Sequence, residues 1–271
     1  MIEQTLFALP FAYLGVLFAG GGGPLTWLWV TVALAAARVA GMSFNRLIDR
    51  EIDRKNPRTS GRLLPSGEVS PAEVLIVAVA SSAALIFSAW MLNPLCFYLS
   101  FPAVLMLVTY SYFKRFTAAS HYYLGLVEAA APVGGYLAVT GEFALVPFVL
   151  GAAIMFWIAG LDVVYALQDT GFDRAEGLFS LPARYGEKPA LRFSLGSYLL
   201  SFAAIAAAGA LTDRGTAYWV AVGCVGIIFV KQQRLARGGA IDEATLEFFS
   251  INRYISPILL VGTFLDVFIK P

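Results

Sequence analysis

Asn45, Asp49 and Asp53 recur at four-residue steps in NRLIDREID, and LDVVYALQDTGFD carries Asp162, Asp169 and Asp173. Steps of four keep side chains on one helix face, so the first three spread over about 12 Å at 1.5 Å of rise per residue. An amide and two carboxylates in a row are hard oxygen ligands. They suit Mg2+, which keeps several waters and shares its shell with substrate phosphates. Asp169 and Asp173 again lie one turn apart, with Asp162 about two turns deeper on nearly the same face. Two such clusters facing each other repel strongly unless a cation joins them. Arg54, Lys55, Arg58 and Arg62 follow the first cluster, ahead of the turn Pro65-Ser66-Gly67. Arg58 and Arg62 can donate paired hydrogen bonds to phosphate oxygens, and Lys114 and Arg115 add positive charge at the end of another apolar stretch. Acids, a divalent ion and a basic loop describe a diphosphate site. The competing description is solvated loop charge with basic membrane anchors. It leaves unexplained why the acids continue apolar helices and recur at one offset.

The elements that hold these residues must be membrane helices. The 271 residues are 59% hydrophobic and 14% charged, with a mean hydropathy of +0.73. A soluble domain is about 45–50% apolar and about 25% charged. Only helices and closed barrels satisfy the backbone in lipid, and the long unbroken apolar stretches lack the short alternation of barrel strands. Windows of about 17–25 residues give nine spans, at 4–20, 26–47, 72–90, 95–113, 120–139, 143–165, 190–210, 216–232 and 252–269. They form a single transmembrane domain over 1–271. The N-terminus lacks the basic region of a cleaved signal peptide and reads as the start of the first helix. A net charge of +1 gives no case for nucleic-acid binding. Cys96 and Cys224 sit in apolar runs and read as packing residues.

Connections after the odd-numbered spans are short and nearly uncharged, whereas those after the even-numbered spans, together with the helix ends that flank them, hold 16 of the 19 lysines and arginines. The positive-inside rule places the basic side in the cytoplasm, with the N-terminus inside and the C-terminus outside. A shift of 120 takes Asn45, Asp49, Asp53 and Arg54 to Tyr165, Asp169, Asp173 and Arg174, and Lys114 to Arg234. LPSGEVSP (64–71) has a ragged counterpart in LPARYGEKP (181–189). The pattern predicts two related four-helix halves, each with an acidic site where its second helix ends, plus a ninth helix.

These residues carry a family resemblance. NRLIDREIDRKNPRTSGRLLPSG resembles the first motif of the UbiA superfamily of membrane prenyltransferases, an Asn/Asp-x3-Asp-x3-Asp run followed by basic and Pro-x-Gly elements. DVVYALQDTGFDRAEGLFSLPARYG is similar to the second motif of its 4-hydroxybenzoate-type branch, YSYFKRF to a Tyr-x-x-x-Lys-Arg element, and TLFALPFAY to the opening of its members. Arg46 departs from the pattern, standing where many members have a further aspartate. The resemblance implies a nine-helix bundle around a central cavity with a lateral opening, which binds a polyprenyl diphosphate through two Mg2+ ions. Asn45, Asp49 and Asp53 would serve one ion, Asp169 and Asp173 the other, and Arg58, Arg62 and Lys114 would contact the diphosphate. The implied reaction ionises the allylic C–O bond and alkylates an electron-rich ring of a quinone precursor. In it Tyr165 would shield the carbocation and Asp162 would take the ring proton. A glyceryl phosphate acceptor is the alternative within the superfamily. Outside it stands an ion-coupled transporter, which accounts neither for acids clustered at one membrane face nor for the basic loop. A CDP-alcohol phosphotransferase expects an Asp-x2-Asp-Gly-x2-Ala-Arg signature that the sequence lacks.

Two more residues need weighing. Arg38 lies seven positions before Asn45, on nearly the same face and about 10 Å deeper. A charge that far inside a span is costly and marks function by default. It is either a clamp for a carboxylate on the acceptor or a partner of Glu128 or another buried acid. His121, the single histidine, reads as marking a membrane interface and not as a ligand.

Overall fold

The computed structural model describes residues 2–237, 247, 248 and 250–269, and these are helical with no strand among them. In chain order the helices are α1 (Ile2–Phe18), α2 (Pro24–Ile48), α3 (Arg50–Lys55), α4 (Leu63–Ser66), α5 (Pro71–Leu92), α6 (Pro94–Phe113), α7 (Ser120–Thr140) and α8 (Leu145–Ala166). A 3-10 turn, Leu167–Asp169, leads into α9 (Thr170–Ala175), α10 (Leu181–Tyr185), α11 (Glu187–Leu211), α12 (Thr216–Arg237) and α13 (Ile255–Ile269). Local chemistry sets many of the ends. Pro24, Pro71 and Pro94 open α2, α5 and α6, where the missing N–H costs nothing. Ser70 and Glu73 form a reciprocal cap at the start of α5. Asn93 alone separates α5 from α6: its Oδ1 accepts from Cys96 N at 2.9 Å and its Nδ2 donates to Leu137 O at 2.7 Å. Gly67, at φ +86°, ends α4, a backbone conformation that glycine adopts without strain.

Seven segments among the described residues are long and apolar enough to cross a membrane: α2, α5, α6, α7, α8 extended to Ala175, α11 and Ser250–Phe268. These seven coincide with seven of the nine expected spans. The other two expected spans exist as helices. However, the described apolar run of α1 covers only Ala8–Phe18, and α12 ends in Lys231, Gln232, Gln233, Arg234 and Arg237.

The 120-residue shift has a structural counterpart. Asp49 interrupts α2 and α3 at φ −92°, ψ 5°, and Asp169 precedes α9 at φ −101°, ψ 5°. In each half a long helix ends at the acid, a short helix follows, a second short helix starts at the Leu-Pro segment, and another long helix returns. The acids therefore stand at breaks and do not ride one unbroken helix. The break at Asp49 is shallow, because Asp49 N still bonds Asn45 O (2.9 Å) and Asp53 N still bonds Asp49 O (2.7 Å). The four-residue register survives.

The halves are filled differently. Trp157, Tyr198, Tyr218 and Phe229 are buried among α1, α8, α11, α12 and α13, with Phe11 edge-on to Trp157 at 5.1 Å and Tyr198 edge-on to Phe229 at 4.7 Å. Facing α5, α6 and α7, α2 presents Ala33, Ala37 and Gly41, which leave the space between these helices open as a cavity. At the crossing of α1 and α7, a Cβ on Gly15 would lie 2.0 Å from Pro132 O, and one on Gly135 would lie 2.0 Å from Ala12 O. No side chain fits there without parting the backbones. Gly135→Val is expected to destabilise the detergent-solubilised protein by about 1–3 kcal/mol, read as a lowered melting temperature. Gly196→Ala, where an added Cβ meets nothing within 4 Å, is expected to be neutral or slightly stabilising. Equal melting temperatures for the two variants would refute the close crossing.

Candidate active site

One end of the bundle carries α3, α4, α9, α10 and the loops between them, and there both acidic sets border the same cavity of about 810 Å³. Asp49 is 2% and Asp53 6% exposed. Carboxylates buried so far must be paired. Asp49 accepts from Lys114 Nζ at 2.7 Å and Asn45 Nδ2 at 2.8 Å, with Arg115 Nη2 at 3.4 Å. Both oxygens of Asp53 accept from Arg62 Nη1 at 2.8 Å, and Arg46 Nη1 stands 3.6 Å away. Arg46, the departure from the family pattern, thus adds a cation beside the carboxylates. Burial pushes the Asp49 carboxyl above its ordinary range, while the Lys114 and Arg115 charges pull against that rise.

The first loop crosses to the second acidic set. Arg58 donates to both oxygens of Asp169 and, through Nη1, to the Tyr165 hydroxyl at 2.6 Å, with its guanidinium 5.0 Å over the Tyr165 ring. These bonds to Asp169 hold the guanidinium above its already high ordinary pKa. Asn56 Nδ2 also donates to Asp169, at 3.0 Å, while Asn56 Oδ1 accepts from Arg58 N at 2.9 Å. Outside the cavity Lys55 and Glu176 pair at 2.6 Å. Asp173 lies within electrostatic reach of Asp169 and Lys114. Lys114 also accepts from Phe179 N at its carbonyl (2.7 Å), which fastens the second loop to the end of α6. The two acidic tips therefore converge, joined by basic side chains.

Below this mouth lies a sparse polar layer. Arg38 on α2 pairs with Glu128 on α7, and Asp162 on α8 pairs with His121 on α7 at 2.6 Å. All four line the cavity. Arg38 takes the partner expected on the alternative view of it, yet its Nε is buried with no hydrogen-bond partner. His121 was expected at a membrane interface; it stands in the first turn of α7 but is 3% exposed, with Leu181 N donating to its Nε2 at 3.1 Å. Deeper still the wall is apolar, including Val30, Leu34, Leu85, Ala89, Leu92 and Leu99. A charged mouth over an apolar shaft matches an amphiphile with an anionic head.

Sequence reasoning missed Asn56 and the His121–Asp162 pair. Asn56-Pro57 carries a turn signal, but nothing local shows that the turn reaches Asp169. Among the described residues no three His, Cys, Asp or Glu side chains gather closely enough to hold a metal by themselves. Asp49 and Asp53 in one set and Asp169 and Asp173 in the other are the one or two carboxylates per ion that Mg2+ takes beside water and phosphate.

Comparison with known proteins agrees with this geometry. A family model, the UbiA prenyltransferase family, matches residues 8–253. A 4-hydroxybenzoate octaprenyltransferase of Aeromonas hydrophila is 31% identical over 252 residues, covering 92% of this chain and 86% of its own. The apo structure of a UbiA homologue from Aeropyrum pernix K1 superposes with a TM-score of 0.91 at 32% identity, covering 98% of each chain. A UbiA homologue from Archaeoglobus fulgidus, solved with GPP and Mg2+, shares the fold at a TM-score of 0.74 and 17% identity, covering 98% of each chain. With seven helical segments fit to cross a bilayer and this family match over most of its length, the chain is a multi-pass membrane protein and belongs to the UbiA prenyltransferase family.

Proposed function

We propose that the protein transfers a prenyl group from a polyprenyl diphosphate to an aromatic acceptor of the 4-hydroxybenzoate type, with two Mg2+ ions. The observation that carries this is the cross-pairing at the cavity mouth. Each basic residue assigned to the diphosphate is held by a carboxylate assigned to a metal: Lys114 by Asp49, Arg62 by Asp53 and Arg58 by Asp169. Were these carboxylates to hold a divalent ion, Lys114, Arg62 and Arg58 would be free to turn to the phosphate oxygens. The names of the curated relatives favour the aromatic acceptor.

Asn45, Asp49 and Asp53 would hold one ion, and Asp169 and Asp173 the other. Bound Mg2+ supplies positive charge to the departing diphosphate. Arg58, Arg62 and Lys114 turn from their carboxylates to the phosphate oxygens and stabilise the charge that develops as the allylic C–O bond breaks. The Tyr165 ring shields the resulting carbocation. Arg38, which lines the cavity, holds the acceptor carboxylate, and Asp162 receives the ring proton after the C–C bond forms. The prenyl tail lies in the apolar shaft. The positive-inside rule favours the cytoplasmic face of the cell membrane for the site and the N-terminus and the outside for the C-terminus, with 1–271 read as one domain.

The test is a product assay in detergent with labelled geranylgeranyl diphosphate and a panel of acceptors, with and without EDTA. Prenylated 4-hydroxybenzoate that disappears with the chelator is expected. Product on glyceryl phosphate alone would overturn the aromatic acceptor, and chelator-insensitive turnover would overturn the metal role.

A further inference from the structure

His121 takes no part in the mechanism above, yet it is the single histidine of the chain and lies buried against the cavity wall. A buried imidazole must satisfy both nitrogens. Its Nε2 faces Leu181 N–H at 3.1 Å. A backbone N–H can only donate, so Nε2 holds the lone pair and the ring proton sits on Nδ1. That proton points at Asp162 Oδ2, 2.6 Å away. Both nitrogens are used, so the imidazole itself has no free lone pair to take a proton from the cavity. Asp162, whose side chain is 31% exposed and which lines the cavity, does have an oxygen left.

We propose that His121, held as the Nδ1–H tautomer by Leu181 N–H, is a positioning residue that aims Asp162 at the acceptor and ties that aim to the seating of the second acidic loop. The tie runs through covalent neighbours. Leu178 N donates to Asp173 O at 2.8 Å, Phe179 N to Lys114 O at 2.7 Å, and Ser180 Oγ caps α10 by accepting from Ala183 N at 3.3 Å. Leu181, the next residue, then fixes the imidazole. A loop seated on the metal-side acid Asp173 and on Lys114 thus presents one N–H to His121, and His121 presents one N–H to Asp162. This proposal rests on the aromatic-acceptor reading. In the step concerned, the C–O bond to diphosphate breaks, the C–C bond to the ring forms, and the ring proton passes to Asp162, leaving the aromatic product and diphosphate.

Asparagine and glutamine separate this role from a purely structural one. The Nδ2 of Asn reaches about where His Nδ1 stands, which keeps the donor to Asp162 and drops the Leu181 link. The longer Gln reaches toward the Nε2 position, which keeps the loop link and drops the donor. His121→Gln and His121→Leu are expected to lower kcat for prenylation of 4-hydroxybenzoate about 10²-fold, the scale of a small misplacement of a reacting group. The KM for the prenyl diphosphate should stay near wild type, and released diphosphate should exceed prenylated product as the trapped cation goes to water. His121→Asn, which keeps the donor and loses the loop link, should restore turnover in part, above both other variants and below wild type. Full activity in His121→Gln or His121→Leu, or rescue by Gln and not Asn, would overturn the positioning role while leaving the aromatic reading intact. A wild type that prenylates only a non-aromatic acceptor would overturn both. Independently of turnover, 15N-histidine NMR of the single imidazole should report protonated Nδ1 and bare Nε2, with an Nδ1 resonance that moves in Asp162→Asn. The Nε2–H tautomer would sink the proposal whatever the acceptor.

Discussion

Asp49→Ala and Asp169→Ala should each lower Mg2+-dependent prenyl transfer about 10³-fold or more, with the bundle still folded. On the proposed function the scale follows from two losses at once: a ligand of the ion that would meet the leaving group, and the partner that keeps a basic side chain in place. Asp49 is bonded by Asn45, Lys114 and Arg115, and Asp169 by Asn56 and Arg58. In either variant the cations lose their counter-ion but keep solvent access, since the side chains of Lys114 and Arg58 are 32% and 34% exposed. Unfolding is therefore not the expected route to inactivity. Melting temperature and elution profile check the fold, and diphosphate release checks the first chemical step. Glu51, which pairs on the surface with Arg50 and Arg54, is the control, and Glu51→Ala should work like wild type. Either aspartate variant turning over at the wild-type rate would remove the metal assignment, because no other described acid occupies its place.

Much of this site was legible because the sequence pattern that encodes it is local. Four-residue steps put Asn45 and Asp49 in contact, and the 2.8 Å bond between them follows. The 120-residue repeat carried Asp49 onto Asp169, and both now stand at helix breaks with nearly equal backbone angles. Long-range pairings were another matter. His121 and Asp162 meet across 41 residues, and Asn56 and Asp169 across 113. No periodicity within α7 or α8 reveals which of their faces turn to each other. His121 was misplaced for that reason: a lone polar residue at the start of an apolar helix looks the same whether it faces lipid headgroups or a neighbouring carboxylate. All nine expected spans exist as helices, but length and composition single out only seven of them, because the described apolar run of α1 is short and α12 turns polar while its helix continues to Arg237. Arg38 lay between these cases, since its depth was readable but its partner only nameable among options.

Arg38→Leu should raise the acceptor KM about 10²-fold, in keeping with about 1.5–3 kcal/mol for a hydrogen bond to a charged group, and change the KM for the prenyl diphosphate little. A rise in KM with kcat preserved marks an interaction made equally in ground and transition states, as a carboxylate clamp remote from the reacting carbon should be. The pairing of Arg38 with Glu128 offers a rival account: arginine is there only to neutralise the acid, and its loss harms the protein by stranding Glu128 in an apolar wall. Arg38→Leu combined with Glu128→Gln decides between them. The double variant has no stranded charge on either account, so its melting temperature should recover. If Arg38 is only a counter-ion, the acceptor KM recovers with it. If the guanidinium holds the acceptor, stability returns and the high KM remains, and Glu128→Gln alone, which releases Arg38 from its partner, should bind the acceptor at least as well as wild type. Equal recovery of stability and acceptor KM in the double variant would leave Arg38 a structural residue and send the search for the acceptor carboxylate elsewhere in the cavity.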